Sequence, residues 1–478
     1  MLNNFIHKYY RSSQKLFFVI CHNFFIWILF TNFDVLKQKY TMKYLPANPQ
    51  LYIENRKRFA EKLKPKSLAV FNSNDFMPTG ADGTMMFVQN SDIFYLSGID
   101  QEESILVLFP DAKEEANREV LFLKETNEHI AVWEGHKYTK DEANEVSGIR
   151  KIYWMKDFPA AFNALMCEAE NVYLNTNEHL RAVVEVETRD ARFIKFCRER
   201  YPLHNYNRSA PIMHELRAIK SKYEIEAMQE ACNITEKGFR RLLGFIKPGV
   251  MEYEIEAELI HEFVRNRSRG FAYGPIVASG ANACVLHYTD NNKECRSGDV
   301  ILLDVAAEYG NYASDLSRSL PISGKFTERQ KDVYNAVLRV MRAAIKMLVI
   351  GNNIIDYHKA VGKVMEEELI GLGLLDRKEV EKQNPANPLY KKYYMHGTSH
   401  FLGLDVHDVG SKYILFEAGM VFTCEPGIYI PEENLGIRLE DDILITKKGP
   451  FNLMGNIPIE ADEIESLMAG KSIKKTAI

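Results

Sequence analysis

The sequence predicts a two-domain α/β (α+β) chain, and three patterns predict it. Short β-rich runs alternate with helical periodicity from about residue 43 to residue 208. A Pro-containing stretch, RSAPIMHELRAIKS, then reads as a link. The remainder repeats one order of elements: helix, helix, strands, and again helix, helix, strands. Such a repeat suggests an internal duplication with pseudo-two-fold character, packed about a shared core. A chain of 478 residues can bury large cores without disulfide staples.

In the first region the runs SLAVF (67–71), SILVLF (104–109), EVLFL (119–123) and NVYLN (171–175) are strand-length and bounded by turn residues. Helical spacing fits between Asp157 and Glu170 and again through Arg192–Arg200. We therefore expect an amino-terminal mixed α/β domain over residues 42–210.

The second domain is expected over residues 215–468. Ser221 with Glu224 forms a capping-box pair, and Ile225, Met228, Ile234 and Leu242 continue that helix until Pro248-Gly249 stops it. A second helix should run from Glu252 to about Arg267, ending at Gly270. Strand-like stretches follow around PIVASG, ACVLHY, DVILLDVA and YASDLSRSLPI. Thr327 with Gln330 opens the next helix, to about Val349, and another covers Ile355–Ile370. MVFTCEPGIYI and GIRLEDDILIT then supply the closing strands. The polar, Pro/Asn-rich stretch 375–393 reads as a loop.

Composition narrows the function classes. Apolar residues make up 46%, charged residues 26%, and the formal charge is -5, so there is no basic footprint for nucleic acid. Seven scattered cysteines without a Cys-x-x-Cys pair suggest neither a zinc ribbon nor a disulfide framework. A reducing compartment is the simpler reading, and we expect a cytoplasmic location. Residues 1–41 look foreign to the rest. Leu16 to Phe30 is an apolar run flanked by Lys8, Arg11 and Lys15, but a helix of that length rises only ~23 Å against a ~30 Å hydrocarbon core. The favoured reading is a leader outside the fold, with translation starting at Met42. A membrane or export signal is the second reading, a packed helix the third, and only the second would bring a membrane into play.

Chemistry concentrates in a few acidic and histidine positions. Asp304 closes the run VILLD and Asp315 sits in NYASDLSRSL. With Tyr309-Gly310 at the centre of a tight hairpin, the two aspartates would face one another across a strand pair. Like charges so placed destabilise a sheet unless a cation lies between them, and paired metal ions would resolve that conflict. A solvated hairpin with incidental acids is the plainer alternative. His396, His400 and His407 fall within 12 residues, three of the chain's 13 histidines. Gly397, Ser399 and Gly403 argue against a regular helix there, and no Glu follows His396, so the HExxH pattern fails. Glu425 and Glu440 lie in apolar, strand-like surroundings, where an unpaired carboxylate is costly. An Arg438–Glu440 pair would explain the second but not the first. Two Asp, two Glu and one His form a mainly hard donor set that suits Mn²⁺, with Co²⁺, Fe²⁺ or Zn²⁺ as alternatives.

These residues resemble the pita-bread metallopeptidases, and within them the Xaa-Pro aminopeptidase (aminopeptidase P) branch. HGTSHFLGLDVHDVG, EPGIYI, GIRLEDDILIT and VASGANACVLHYTDN carry the resemblance, which spans roughly residues 43–468. It implies an amino-terminal domain followed by a pita-bread catalytic domain. It further implies that Asp304, Asp315, His400, Glu425 and Glu440 bind two divalent metals, Asp315 and Glu440 bridging them. His287, His396 and His407 would contact substrate or move protons, Arg438 would brace Asp304, and Tyr273, Leu286 and Tyr429 would shape the proline and substrate pocket. The implied activity is release of the first residue from Xaa-Pro peptides by metal-activated water, with Glu425 handling the proton. Prolidase, which takes dipeptides only, is the nearest alternative. Methionine aminopeptidase would leave residues 43–210 unexplained, and a non-enzymatic peptide-binding module would not need all five ligands. Relatives suggest a homodimer or homotetramer. Two departures stand out. TCEPG replaces the family's VEPG, putting Cys424 beside a ligand. Phe94 stands where relatives can carry Trp, which weakens the expectation of an aromatic contact from a neighbouring subunit.

Overall fold

A computed structural model describes residues 43–470 apart from Asn177 and Val183. The leader discussed above lies outside the described residues. Among those described, no helix is long and apolar enough to cross a membrane.

The amino-terminal region forms a six-stranded sheet from β1 (Ser67–Asn72), β2 (Ile105–Leu108), β3 (Glu119–Leu123), β4 (Lys151–Trp154), β5 (Asn171–Leu174) and β6 (Asn205–Arg208), in the order β4-β3-β2-β1-β5-β6. The two central antiparallel pairs, β1–β2 and β2–β3, are flanked by the parallel pairs β3–β4, β1–β5 and β5–β6. Every residue of β1 and β2 is buried because helices cover both faces, which is why these strands read as continuous apolar runs rather than alternating ones. Phe59 of the helix Gln50–Ala60 meets Phe71 edge-on at 5.2 Å, while Phe158 of the helix Phe158–Met166 meets Phe122 at 5.0 Å. The strands at the two edges, β4 and β6, escape detection in the sequence. β6 (NYNR) has no fully buried residue, so no apolar run announces it.

The expected link is in fact a helix, Ala210–Ala218, with Pro211 in its first turn. Proline is well tolerated there because the missing N–H has no intrahelical partner anyway.

The second half contains the expected helix pairs. Lys222–Leu243 opens with the Ser221/Glu224 capping box and Glu328–Ile345 with the Thr327/Gln330 box. They pack against Glu252–Arg265 and Ile354–Gly371 respectively. The first strand group is β7 (Ile276–Ser279), β8 (Val300–Asp304), the short pair β9 (Glu308–Tyr309) and β10 (Tyr312–Ala313), and β11 (Ser317–Pro321). The second is β12 (Val421–Cys424), β13 (Gly427–Ile430), β14 (Leu435–Arg438), β15 (Asp441–Thr446) and β16 (Gly449–Asn452). ACVLHY is not a strand; a 3₁₀ turn over Gly280–Cys284 occupies its start. One continuous core joins both halves, with Met228 and Leu259 from the first helix pair, Val337 and Val361 from the second, and Leu303, Val421 and Ile443 from the strands. A bridge between Ser317 and Glu440 ties the two strand groups together. Buried Arg318 reinforces that bridge, donating to the Ser317 and Glu440 carbonyls at 3.0 and 2.7 Å and to Asp441 at 2.6 Å.

The hairpin register differs from the sequence expectation. Tyr309 pairs with Tyr312, so Gly310 and Asn311 occupy the centre, with φ of 57° and 67°. A two-residue turn of this hand needs two positive φ values, which Gly-Asn adopts readily and Tyr-Gly does not. Asp304 consequently opposes Ser317, not Asp315. The ladder continues through Val305 N–H to Leu316 O at 3.0 Å, which leaves Asp315 diagonal to Asp304 on the same face, roughly 7–8 Å apart for such pairs. The shared face survives; the direct opposition does not.

Candidate active site

Five donors arrive from five separate segments. Asp304 ends β8, Asp315 follows β10, and His400 lies in the glycine-rich stretch ahead of β12. Glu425 and Glu440 sit in the two-residue gaps between β12 and β13 and between β14 and β15. All five line one cavity of about 410 Å³. His400 Nε2 is 3.4 Å from Asp315 Oδ2 and 3.7 Å from Glu425 Oε1. Asp315, His400 and Glu440 each offer a donor atom within 4.8 Å of the others.

Four carboxyl groups crowded around one cavity repel one another. Burial, followed by Asp315, Glu425 and Asp304, drives the Glu440 carboxyl far above its ordinary range. Burial lifts Glu425 to about 7, while His400 and Arg438 pull the other way. Asp304 is likewise raised by burial first, with Arg438 opposing. Arg438 is the compensating cation. Its Nη2 donates to Asp304 Oδ2 at 2.6 Å, Nη1 to Tyr429 Oη at 3.0 Å and Nε to Ser317 Oγ at 2.8 Å. The expected alternative of an Arg438–Glu440 pair is therefore replaced by an Arg438–Asp304 pair, and Glu440 accepts from Ser317 Oγ at 2.8 Å.

The donor set fits divalent metal ions. His400 Nδ1 contacts the Phe401 carbonyl at 2.9 Å; a carbonyl only accepts, so Nδ1 carries a proton and Nε2 is the nitrogen turned towards Asp315 and Glu425. Fixing a ligand imidazole through its second nitrogen in this way is typical of metal sites. Mutually repelling oxygen donors, with an imidazole nitrogen turned towards them, call for positive charge between them.

The remaining sequence-selected residues separate by position. His287, His396, His407, Tyr273 and Leu286 line the same cavity. Tyr273 Oη also donates to Asp304 Oδ1 at 2.6 Å. His396 donates from Nδ1 to the Gly397 carbonyl at 2.8 Å, so its Nε2 accepts from Tyr429 Oη, also at 2.8 Å. Burial, then Arg438, lowers His396 to about 4, so it is a neutral imidazole. His407 stacks near His400, ring centres 4.2 Å apart, and burial followed by His400 and Arg181 lowers it to about 3. Tyr429 is fully buried behind Arg438 and His396 and is not part of the cavity wall. Phe94 is also in the core, edge-on to Tyr52 at 6.0 Å. Cys424 is buried between Tyr357 and the Met341 carbonyl, outside the cavity wall.

Three residues escaped the sequence reading. Arg181, from the amino-terminal region, reaches the cavity and approaches His407 Nδ1 at 2.7 Å. His358 lines the cavity from the helix Ile354–Gly371. Asp442, buried, accepts the Asp315 N–H at 3.1 Å. The acidic triplet Glu440-Asp441-Asp442 within an apolar strand was the available signal for Asp442. No local pattern points to Arg181.

Known proteins bear on this arrangement. The sequence profile of metallopeptidase family M24 matches residues 226–447, and that of the aminopeptidase P N-terminal domain matches residues 52–173. The chain is similar to the Xaa-Pro aminopeptidase of Escherichia coli (strain K12), 34% identical over 439 residues that cover 88% of this chain and 97% of that protein. The chain belongs to the Xaa-Pro aminopeptidase family. Intermediate cleaving peptidase 55 of Saccharomyces cerevisiae is 32% identical, covering 87% and 83% of the two chains. Among solved structures, Pseudomonas aeruginosa aminopeptidase PepP superposes with a TM-score of 0.81 at 31% identity, over 90% of this chain and 99% of that one. Zn-substituted E. coli aminopeptidase P in complex with product gives 0.79 at 32%, over 90% and 100%. The fold is therefore that of the family, an aminopeptidase P amino-terminal domain followed by a pita-bread domain. As a member of the Xaa-Pro aminopeptidase family, the chain is a metal-dependent aminopeptidase. Neither prolidase nor a non-enzymatic binding module is favoured by these relationships.

Proposed function

We propose that the enzyme removes the first residue from peptides with proline at position two, using a pair of divalent ions held by Asp304, Asp315, His400, Glu425 and Glu440. The observation that carries the reading is the convergence of these five side chains on one cavity, four of them carboxylates with Arg438 as compensating guanidinium. Mn²⁺ suits this hard set best, with Co²⁺, Fe²⁺ and Zn²⁺ as alternatives. When bound, the ions supply an activated water and polarise the scissile carbonyl.

This chain's residues do the rest. Glu425, within 3.7 Å of both His400 Nε2 and His396 Nδ1, takes the proton released at the nucleophile and returns it to the departing nitrogen. A prolyl nitrogen leaves from a tertiary amide and needs that proton. His396, held neutral between the Gly397 carbonyl and Tyr429, and His287 and His407 on the cavity wall orient the substrate. Tyr273 and Leu286 bound the space for the proline ring, and Tyr429 holds His396 from behind. Arg438 fixes the Asp304 side of the site.

The domains divide near residues 210–215, with residues 42–210 preceding the catalytic part at 215–468. We place the enzyme in the cytoplasm, as a homodimer or homotetramer acting on free peptides. The test is a panel of Xaa-Pro and Xaa-Pro-Yaa-Yaa peptides, assayed with Mn²⁺ and after chelation. Cleavage of the longer peptides, lost on chelation, is expected; activity on dipeptides alone would make it a prolidase. Glu425→Gln should abolish turnover, and a metal-replete Gln variant with wild-type kcat would overturn the proton role.

A further inference from the structure

The loop carrying His407 is anchored by charges that never touch the cavity. Asp405 and Asp408 flank Val406 and His407, and only the inner two of the four line the metal-site cavity. One guanidinium holds both outer residues: Arg217 Nη2 donates to Asp405 Oδ2 at 2.6 Å and to Asp408 Oδ1 at 2.5 Å. Its Nη1 donates to Asp92 Oδ1 at 2.8 Å. Asp92 and its neighbour Ser91 begin a helix of the amino-terminal region, Ser91–Ser97, and Ser91 Oγ donates to Asp405 Oδ1 at 2.7 Å. Lys220 Nζ adds a second cation to Asp408 at 3.1 Å. The Asp408 N–H is tied to the Phe401 carbonyl at 2.9 Å, one residue beyond His400. Gly403 leaves room for this folding-back, since a Cβ there would run into the Asp408 carboxylate.

Arg217 and Asp408 have side chains only 4% and 2% exposed. Removing water from such a network is costly, and packed hydrophobic residues would stabilise the fold as well. A planar fork does what apolar packing cannot: one arm, Nη2, gathers the two carboxylates that bracket His407, and the other, Nη1, ties them to Asp92. Asp92 and Ser91 extend the bracket into the amino-terminal region, a chain segment that supplies none of the five donors.

We infer that Arg217 is a positioning residue, which through Asp405 and Asp408 holds His407 over His400 and so makes the amino-terminal domain a working part of the active site. This rests on the proposed role of His407 in orienting substrate. Misplacing a catalytic group by about 1 Å can cost on the order of 100-fold, so a loosened clamp lowers kcat while the metal ligands remain in place.

The experiment is a double-mutant cycle on the full-length, metal-loaded enzyme, with metal content and melting temperature recorded for every variant. Asp405→Asn is the first variant because its side chain is 45% exposed and its loss is compatible with folding; Ser91→Ala, which removes one bond to the same carboxylate, is the milder second. We expect Asp405→Asn to lower kcat roughly 10-fold with bound metal unchanged, and Arg217→Lys, which keeps the charge but lacks the fork, to do the same. In a His407→Ala background the further loss from Asp405→Asn should fall below about 2-fold, because residues acting through one another are not additive. An equal loss in both backgrounds would overturn the clamp alone. Wild-type activity of His407→Ala would overturn the role of His407 itself and the clamp with it.

Discussion

Arg438 and Asp304 form a largely buried ion pair, Nη2 to Oδ2 2.6 Å, between the last residue of β14 and the last residue of β8. The two lie 134 positions apart in the chain. The same guanidinium reaches Tyr429 and, through its hydroxyl, His396, so one cation joins a carboxylate and an imidazole of the same cavity wall.

That pairing makes Arg438→Met informative. Breaking a buried pair by removing one partner costs about 3–5 kcal/mol. A bound cation would compensate Asp304 in its place, so the loss in melting temperature should be large after chelation and smaller with Mn²⁺ present. Thermal melts with and without metal check this. An equal loss in both conditions would show that Asp304 does not share its charge with the ions.

Glu440 leads to the opposite expectation. Burial and the neighbouring Asp315, Glu425 and Asp304 all disfavour its charge. Glu440→Gln should therefore raise the melting temperature of the chelated protein, by about 1–2 kcal/mol of stability, since a like-charge conflict is relieved. The same variant should lose the stabilisation that metal gives the wild type, together with activity. Calorimetric titration with Mn²⁺ and paired melts supply the readout. A chelated variant less stable than the chelated wild type would contradict the electrostatic account.

Asp190, far from the donor set in sequence, should make stability depend on pH. Burial pushes its carboxyl up to about 7, with Asp92 and Asp75 adding to the rise, while Asn72 and Arg189 oppose it. Asn72 Nδ2 donates to Asp190 Oδ1 at 2.8 Å, and Asn72 Oδ1 has no partner. A folded value above the unfolded one, about 3.9, means that folding favours the protonated acid. Its contribution is complete below pH ~4, declines as the pH rises, and is gone once pH passes about 7. Asp190→Asn keeps the acceptor and supplies an N–H for Asn72, so it should stabilise the protein at pH 8 and flatten the profile between pH 4 and 7. Denaturant melts across that range test it, and a variant profile parallel to wild type would refute the assignment.

Much of this was legible before any coordinates. Ser221/Glu224 and Thr327/Gln330 announced two helix starts because capping is a local reaction between side chain and neighbouring N–H groups. The fully buried strands β1 and β2 were visible as apolar runs, whereas β6, with polar edges, was not. The turn at Gly310-Asn311 was misplaced by one residue, although the two positive-φ residues were there to be read.

The amino-acid sequence alone determined which chemistry is present: five oxygen and nitrogen donors at motif spacing, hard enough for divalent ions, in segments too apolar to hold them unpaired. Tertiary structure decided how they meet. It left Glu440 to accept from Ser317, moved Asp315 to a diagonal position, and brought Arg181, Asp92 and Arg217 to the histidine loop. The reason is physical. Periodicity and capping report forces that act over one or two turns of chain, while the Arg217–Asp408 contact spans 191 residues and exists only after both cores have packed.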